Sequence, residues 1–215
     1  MLIQERYRVI KPIGQGGFGK TFLAVDERHS PPVPCVIKQF WPQNKAHSSL
    51  QQAEELFQQE ALRLEELGKH PQIPALIAHF EQEQCLYLVQ EFIDGTNLAK
   101  VMESEGAFSE AQIWRILNDL LPVLKFIHLR QIIHRDIKPE NIIRRHADGC
   151  LVLVDFGAAK LVSGIDQYKT GTSIGSPQYV APEQARGKAV FASDLYSLGL
   201  TCIHLNKSAG KFRSM

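Results

Sequence analysis

The string GQGGFGKT, Gly14 to Thr21, limits the fold of this chain more than any other stretch. It satisfies two phosphate-loop patterns at once, GxGxxG and GxxxxGKT. Both patterns belong to loops that open a helix, whose N-terminal amides face the phosphates. Here the next residues are TFLAV, an apolar β-favouring run, and Pro31-Pro32 arrive before a helix of about ten residues could fit. A Walker or dinucleotide loop therefore lacks its helix. Two readings are left: a plain glycine turn, or a glycine-rich flap between strands Tyr7 to Ile13 and Thr21 to Val25 that folds over phosphates from above.

The rest of the N-terminal part reads as sheet, with further strands in CVIKQF (Cys35 to Phe40), AHF and LYLVQEFI. One helix interrupts it between about Ser48 and Leu67, where Ala53, Phe57, Leu64 and Leu67 form one buried stripe. Glu60 falls on that stripe. An unpaired buried carboxylate costs several kcal/mol, so the pattern requires a cation against Glu60.

Beyond Asp94-Gly95 the pattern turns helical, beginning with Ser109 and Gln112 as a capping box ahead of IWRILNDLLPVLKFIH, in which Pro122 predicts a kink. Three short strands follow in QIIH, NIIRR and CLVLVDF, the last two joined by a turn at Asp148-Gly149. A long loop to about Pro182 precedes an apolar helix from Asp194 to Leu205. The expected architecture is α+β, a small antiparallel β lobe with one helix and then a mainly helical lobe, hinged near Glu91 to Gly95.

Composition closes several other routes. With Lys plus Arg at 24 against Asp plus Glu at 23, the net charge of +1 argues against a nucleic-acid surface. The four cysteines, Cys35, Cys85, Cys150 and Cys202, form no CxxC pair and no disulfide framework, which points to a reducing cytoplasm. No apolar run has the length of a membrane span, and MLIQERYRVI is too short in apolar residues for a signal peptide.

The flap reading makes demands further along the chain, and they are met in order: HRDIKPEN at His134 to Asn141, DFG at Asp155 to Gly157 and APE at Ala181 to Glu183. With these strings the chain resembles the eukaryotic-like protein kinases, specifically the serine/threonine kinases of bacteria, over about Tyr7 to Leu205. The resemblance implies two lobes, 1–93 and 94–205, and a protein serine/threonine kinase that uses ATP and magnesium and takes an unidentified protein as substrate. It implies that Lys38 holds the α and β phosphates and is the cation for Glu60. Asp136 becomes the base or orienting carboxylate for the acceptor hydroxyl, Lys138 the γ-phosphate contact, and Asn141 and Asp155 the magnesium ligands. The nucleotide is expected against Ile13, Gly14, Gln15, Gly16, Gly17, Phe18, Gly19, Thr21, Val36, Lys38, Ile143 and the backbone of Glu91 and Ile93, with Gln90 at the back of the pocket. His134, Phe156, Leu64 and Leu76 resemble stacked scaffold side chains, and Asp194 the buried carboxylate that bonds the catalytic loop's amides. Arg135 beside Asp136 implies control by phosphorylation, with Thr170, Thr172 and Ser173 as acceptors and Thr172 foremost.

Three departures accompany the resemblance. Thr21 stands where the family usually has Val, and Val36 where it usually has Ala. After Leu205 the chain reads NKSAGKFRSM, so the segment 206–215 is expected to be an atypical tail, as a frameshift or truncation would give. The second lobe is then expected to lack its last helices, leaving apolar side chains uncovered, Glu183 unpaired or solvated, and the chain aggregation-prone or inactive. A non-catalytic nucleotide-binding or interaction module is the alternative function.

Overall fold

A computed structural model of the chain describes residues 2–16, 19–40, 47–68, 70–161 and 175–207. They divide into two units, Met1–Ile93 and Asp94–Met215. The fold is α+β: an antiparallel sheet with one helix in the first unit, and helices with two small sheets in the second.

The first unit contains β1 (Leu2–Ile3), β2 (Tyr7–Gly16), β3 (Gly19–Asp26), β4 (Val33–Phe40), α1 (His47–Leu67), β5 (Leu76–Gln82) and β6 (Cys85–Glu91). The strands form one sheet in the order β1-β2-β3-β4-β6-β5, every neighbour antiparallel. The glycine string thus joins two strands, with Gly14 opposite Thr21 and Gly16 opposite Gly19. No helix opens there, which removes the Walker and dinucleotide readings. At Gly19 the sheet itself dictates the residue: a Cβ would lie 2.2 Å from the Gln39 carbonyl oxygen. Alternation along the strands collects Ile3, Tyr7, Cys35, Ile37, Tyr87 and Val89 into one buried cluster. The Phe80 ring packs over it, 6.2 Å from Tyr7 and 5.3 Å from Tyr87. On α1 the stripe is real at Leu64 and Leu67, both buried, while Phe57 is half-buried. Burying each leucine is worth about 1.5–3 kcal/mol. The side chain of Ala53 lies outside the described residues.

A second stabilising element lies at the end of the hairpin. Arg6 grips the buried Asp26 carboxylate with Nε at 2.9 Å and Nη2 at 2.5 Å, and the Arg28 amide adds a third donor at 3.1 Å. These bonds, the guanidinium foremost, hold the Asp26 carboxyl at about 2. Because the folded value is depressed, the stabilisation is complete above the ordinary carboxylate pKa of about 4 and fades as pH falls through about 2. A carboxyl held that far below its ordinary value contributes about 2.5 kcal/mol at neutral pH. Asp26→Asn should therefore lower the unfolding free energy by about that amount at pH 7 and flatten the loss of stability between about pH 4 and pH 2, as read from urea midpoints across pH.

The second unit begins with β7 (Gly95–Asn97) and α2 (Leu98–Glu105), neither expected from the sequence. The start signal of α2 is present, since Asn97 caps it by accepting from the Lys100 amide at 3.0 Å. Then come α3 (Glu110–Leu129), β8 (Ile132–Ile133), β9 (Ile142–Arg145), β10 (Leu151–Leu153), β11 (Lys160–Leu161), α4 (Pro182–Ala185) and α5 (Phe191–Asn206). The capping box of Ser109 and Gln112 opens α3, and the helix runs on through Pro122. The strands pair as β10-β9-β7 and β11-β8. The turn between β9 and β10 uses Gly149 at φ 68°, a left-handed position. The last helix starts at Phe191, ahead of the expected Asp194, because Ser193 Oγ caps the Val190 amide at 3.0 Å.

On α5 the apolar side chains of Leu195, Tyr196 and Ile203 are exposed. Glu183 corrects an expectation: it is half-buried and neither unpaired nor fully solvated, because Ser193 Oγ donates to its carboxylate at 2.6 Å. All four cysteines are free thiols, and burial pushes Cys35 and Cys202 up to about 11. Among the described residues no helix is long and apolar enough to cross a membrane.

Candidate functional site

In the first unit, strand pairing places Thr21 opposite Lys38, and Val36 opposite Gln90. Lys38 Nζ lies 2.5 Å from Glu60 Oε1, and the Glu60 side chain is only 4% exposed. The cation that the α1 stripe demanded is therefore the lysine of β4. Ile13, Gly14, Gln15 and Gly16 line the end of β2, facing Gly19 and Thr21 of β3. Gly17 and Phe18, at the tip, lie outside the described residues. Of the two departures, Val36 is buried and Thr21 is half-buried. Glu91 ends β6, where its amide donates to the Ala75 carbonyl at 2.9 Å. Gln90 and Ile93 are buried.

In the second unit the polar residues between β8 and β9 converge on one carboxylate. Asp136 Oδ2 is 2.8 Å from Lys138 Nζ and accepts from Asn141 Nδ2 at 3.0 Å. Its other oxygen, Oδ1, accepts from the Ser176 amide at 3.0 Å and the Ser176 hydroxyl at 2.9 Å. Lys138 Nζ also donates to Ser176 Oγ at 2.8 Å, closing a triangle of acid, amine and hydroxyl. Charge-assisted bonds of this kind fix an oxygen more tightly than neutral ones. Ser176 was not anticipated from the sequence. The only local signal is its place five residues before Ala181, in GSPQYVAPE. Gly175 makes the approach possible, with φ 125° and an added Cβ falling 2.8 Å from the Arg135 carbonyl oxygen.

The loop that carries Asp136 is anchored from beneath. Asp194 on α5, fully buried, accepts the amides of His134 and Arg135, each at 2.9 Å, and lies 2.8 Å from His128 Nε2. Thr201 Oγ1, one turn beyond Leu198, reaches the Ile137 carbonyl at 3.4 Å. His134 packs edge-on against Phe156 at 4.7 Å, and burial pushes its pKa down, so the imidazole is neutral. Arg135 takes a left-handed φ of 67° and turns its guanidinium inward, where Nε donates to the Ala158 carbonyl at 2.5 Å. Burial brings its pKa down to about 10. Its carbonyl is held in turn by Gln184 Nε2 at 2.6 Å.

Asn141 spends its amide nitrogen on Asp136, at 2.8 Å to the main-chain oxygen. The Val154 amide donates to the Asn141 carbonyl at 2.9 Å, which ties the strand leading to Asp155 to the same loop. Asp155 has φ 67° and ψ 76°, a left-handed conformation that costs of order 1–3 kcal/mol for a side chain other than glycine. Ile143 is half-buried on β9. Thr170, Thr172 and Ser173 lie outside the described residues, as does 208–215.

A buried lysine–glutamate pair on a sheet and its helix, a glycine-rich hairpin, and an aspartate fixed by lysine, asparagine and serine define a class of protein. The chain belongs to the protein kinase family: the protein kinase domain profile matches residues 7–214. It is 48% identical over 210 residues to serine/threonine-protein kinase PknA of Nostoc sp., covering 95% of this chain and 37% of that protein. It is equally 48% identical to serine/threonine-protein kinase C of Synechocystis sp., with 95% and 39% covered. Similarity to serine/threonine-protein kinase PrkC of Bacillus subtilis is 31% over 204 residues, 94% of this chain and 30% of that one. The chain thus spans well under half the length of these curated relatives.

Proposed function

We propose that this chain transfers the γ-phosphoryl group of ATP to a serine or threonine hydroxyl of a protein, with magnesium. The observation that carries the reading is the triangle of Asp136, Lys138 and Ser176, with contacts of 2.8–2.9 Å. A carboxylate there accepts the hydrogen bond of an incoming hydroxyl and orients its oxygen for in-line attack, while the lysine carries positive charge to the oxygens of the transferring group. Lys38, held straight by Glu60, pairs the α and β phosphates, and the amides of the β2–β3 hairpin take the remainder. Glu91 and Ile93 supply backbone groups to the adenine. The names of the relatives support the same activity.

Oxygen donors of Asn141 and Asp155 fit a magnesium ion. The ion favours oxygen, keeps several waters and takes only one or two protein ligands. When bound, it neutralises charge on the phosphates. Four free thiols fit a reducing cytoplasm. Phosphorylation of the segment after Asp155, Thr172 foremost, is the proposed control; Arg135 itself donates to the Ala158 carbonyl at 2.5 Å.

Incubating the full chain with γ-labelled ATP, magnesium and a generic acceptor protein tests the reading: label should enter protein. Ser176→Ala should lower kcat/KM about tenfold or more, since a bond to a charged group is worth about 1.5–3 kcal/mol. Ser176→Thr, which keeps the hydroxyl, should restore it.

A further inference from the structure

Phosphoryl transfer requires Asp136 to hold one orientation, and the side chain that fixes the peptide before it comes from 49 residues further along the chain, in α4. We propose that Gln184 is a positioning residue for the reaction: its buried amide holds the Arg135 carbonyl against the Gly175–Ser176 turn, and so sets both the peptide that carries Asp136 and the serine that bonds it. The proposal rests on the kinase reading.

Arg135 is gripped at both ends. Its amide donates to Asp194 Oδ1 at 2.9 Å, which fixes how the chain enters the residue. Its carbonyl accepts from Gln184 Nε2 at 2.6 Å, which fixes how the chain leaves it. That carbonyl and the Asp136 amide belong to one planar peptide, and the amide donates to His134 Nδ1 at 3.3 Å. Between the two grips Arg135 takes φ 67°, a left-handed conformation that a side chain other than glycine keeps only where its surroundings over-determine it. Release of the carbonyl lets the peptide swing, and Asp136 swings with it.

Burial makes the bond hard to replace. Gln184 is 2% exposed and Arg135 7%, so water is a poor substitute for the lost donor. A carbonyl only accepts, which means that the nitrogen of the Gln184 amide must face it. A buried carbonyl stripped of its donor is penalised by more than the net worth of the bond.

The same bond supports the turn that carries Ser176. An added Cβ at Gly175 would fall 2.7 Å from Gln184 Nε2 and 2.8 Å from the Arg135 carbonyl oxygen, so residue 175 passes directly over the pair. Ser176 follows at once, its carbonyl accepting the Tyr179 and Val180 amides at 2.9 and 3.1 Å, and its own amide and hydroxyl reaching Asp136 Oδ1. Gln184 therefore lies under Asp136 and under its serine partner together. α4 is itself fixed: the Gly187 amide donates to the Gln184 carbonyl at 2.8 Å, and Ser193 of α5 bonds the neighbouring Glu183. Because Gln184 acts through Arg135 and Ser176, its loss should appear in kcat.

The test sets initial rates, with γ-labelled ATP, magnesium and a generic acceptor protein, beside the number of ATP sites per chain, titrated with a fluorescent ATP analogue. Gln184→Met, which keeps the bulk and removes the donor, should lower kcat about tenfold or more, with KM for ATP within about twofold of the wild type and a full complement of ATP sites. Gln184→Asn, which draws the donor back by one methylene, should do the same. In a Ser176→Ala background the Gln184→Met loss should shrink about threefold or more, because part of it passes through that serine. A kcat near that of the wild type in both Gln184 variants overturns the proposal. So does a loss confined to KM, or a loss that multiplies in full with Ser176→Ala. ATP sites that vanish in step with kcat in both variants overturn it too, since Gln184 would then be a structural residue alone. A wild-type chain that binds ATP and moves no label overturns the kinase reading, and with it the role assigned to Gln184.

Discussion

Asp136→Asn should lower phosphoryl transfer about 10²–10⁴-fold, the range general base catalysis supplies, while ATP affinity and thermal midpoint stay close to those of the wild type. The two halves of that result have different origins. The amide keeps the shape of the carboxylate and one oxygen, so the Ser176 amide or Asn141 still finds an acceptor. What disappears is the negative oxygen that, in the proposed reaction, orients an acceptor hydroxyl, together with the counter-charge of Lys138 at 2.8 Å. The side chains of Lys138 and Asp136 are 22% and 13% exposed, so water reaches the triangle and takes up part of the lost charge pairing. An outcome with both activity and stability lost would mean that Asp136 is a structural link. Single-turnover kinetics beside a melting curve separates the two.

The second large effect is at Lys38. Lys38→Met removes the ammonium 2.5 Å from a carboxylate that is almost fully buried, and breaking such a pair from one side costs about 3–5 kcal/mol. Unfolding midpoints should fall accordingly, and phosphoryl transfer should fall with them. Replacing both partners gives the informative comparison. In Lys38→Met/Glu60→Met the buried charge is gone, so most of the lost stability should return, since apolar residues often substitute for a buried pair without penalty. Activity should not return if, as proposed, the pair serves to aim an amine at phosphate and contributes little net stability to the fold. Urea midpoints and initial rates measured on the single and double variants check both statements. Recovery of activity in the double variant would show that Lys38 has no part in the reaction.

The features that were legible in the sequence share a cause. The glycine string could be read because a helix needs room that TFLAV and Pro31-Pro32 deny it, which is a local steric fact. Glu60 could be read because helical periodicity put it on a stripe with Leu64 and Leu67, and a buried charge needs a partner. Periodicity asked for a cation without naming it; family resemblance pointed to Lys38, and the register of β3, β4 and β6 puts it beside α1. The illegible features are local ones with weak patterns or contacts over long separations. Helix α2 is only 8 residues long and follows directly on a three-residue strand, so its cap at Asn97 has little periodicity behind it. Ser176 meets Asp136 across 40 residues, through a backbone turn at Gly175 that no spacing rule encodes. Glu183 finds Ser193 by the same kind of accident of packing.

Identifying where the label goes is the most direct test of the chemistry. After the full chain has reacted with γ-labelled ATP, magnesium and acceptor protein, acid hydrolysis of the product should give labelled phosphoserine or phosphothreonine, absent with Asp136→Asn. Label recovered solely as inorganic phosphate, equally with and without the Asp136 carboxylate, would contradict transfer to a protein hydroxyl and leave only hydrolysis of the nucleotide.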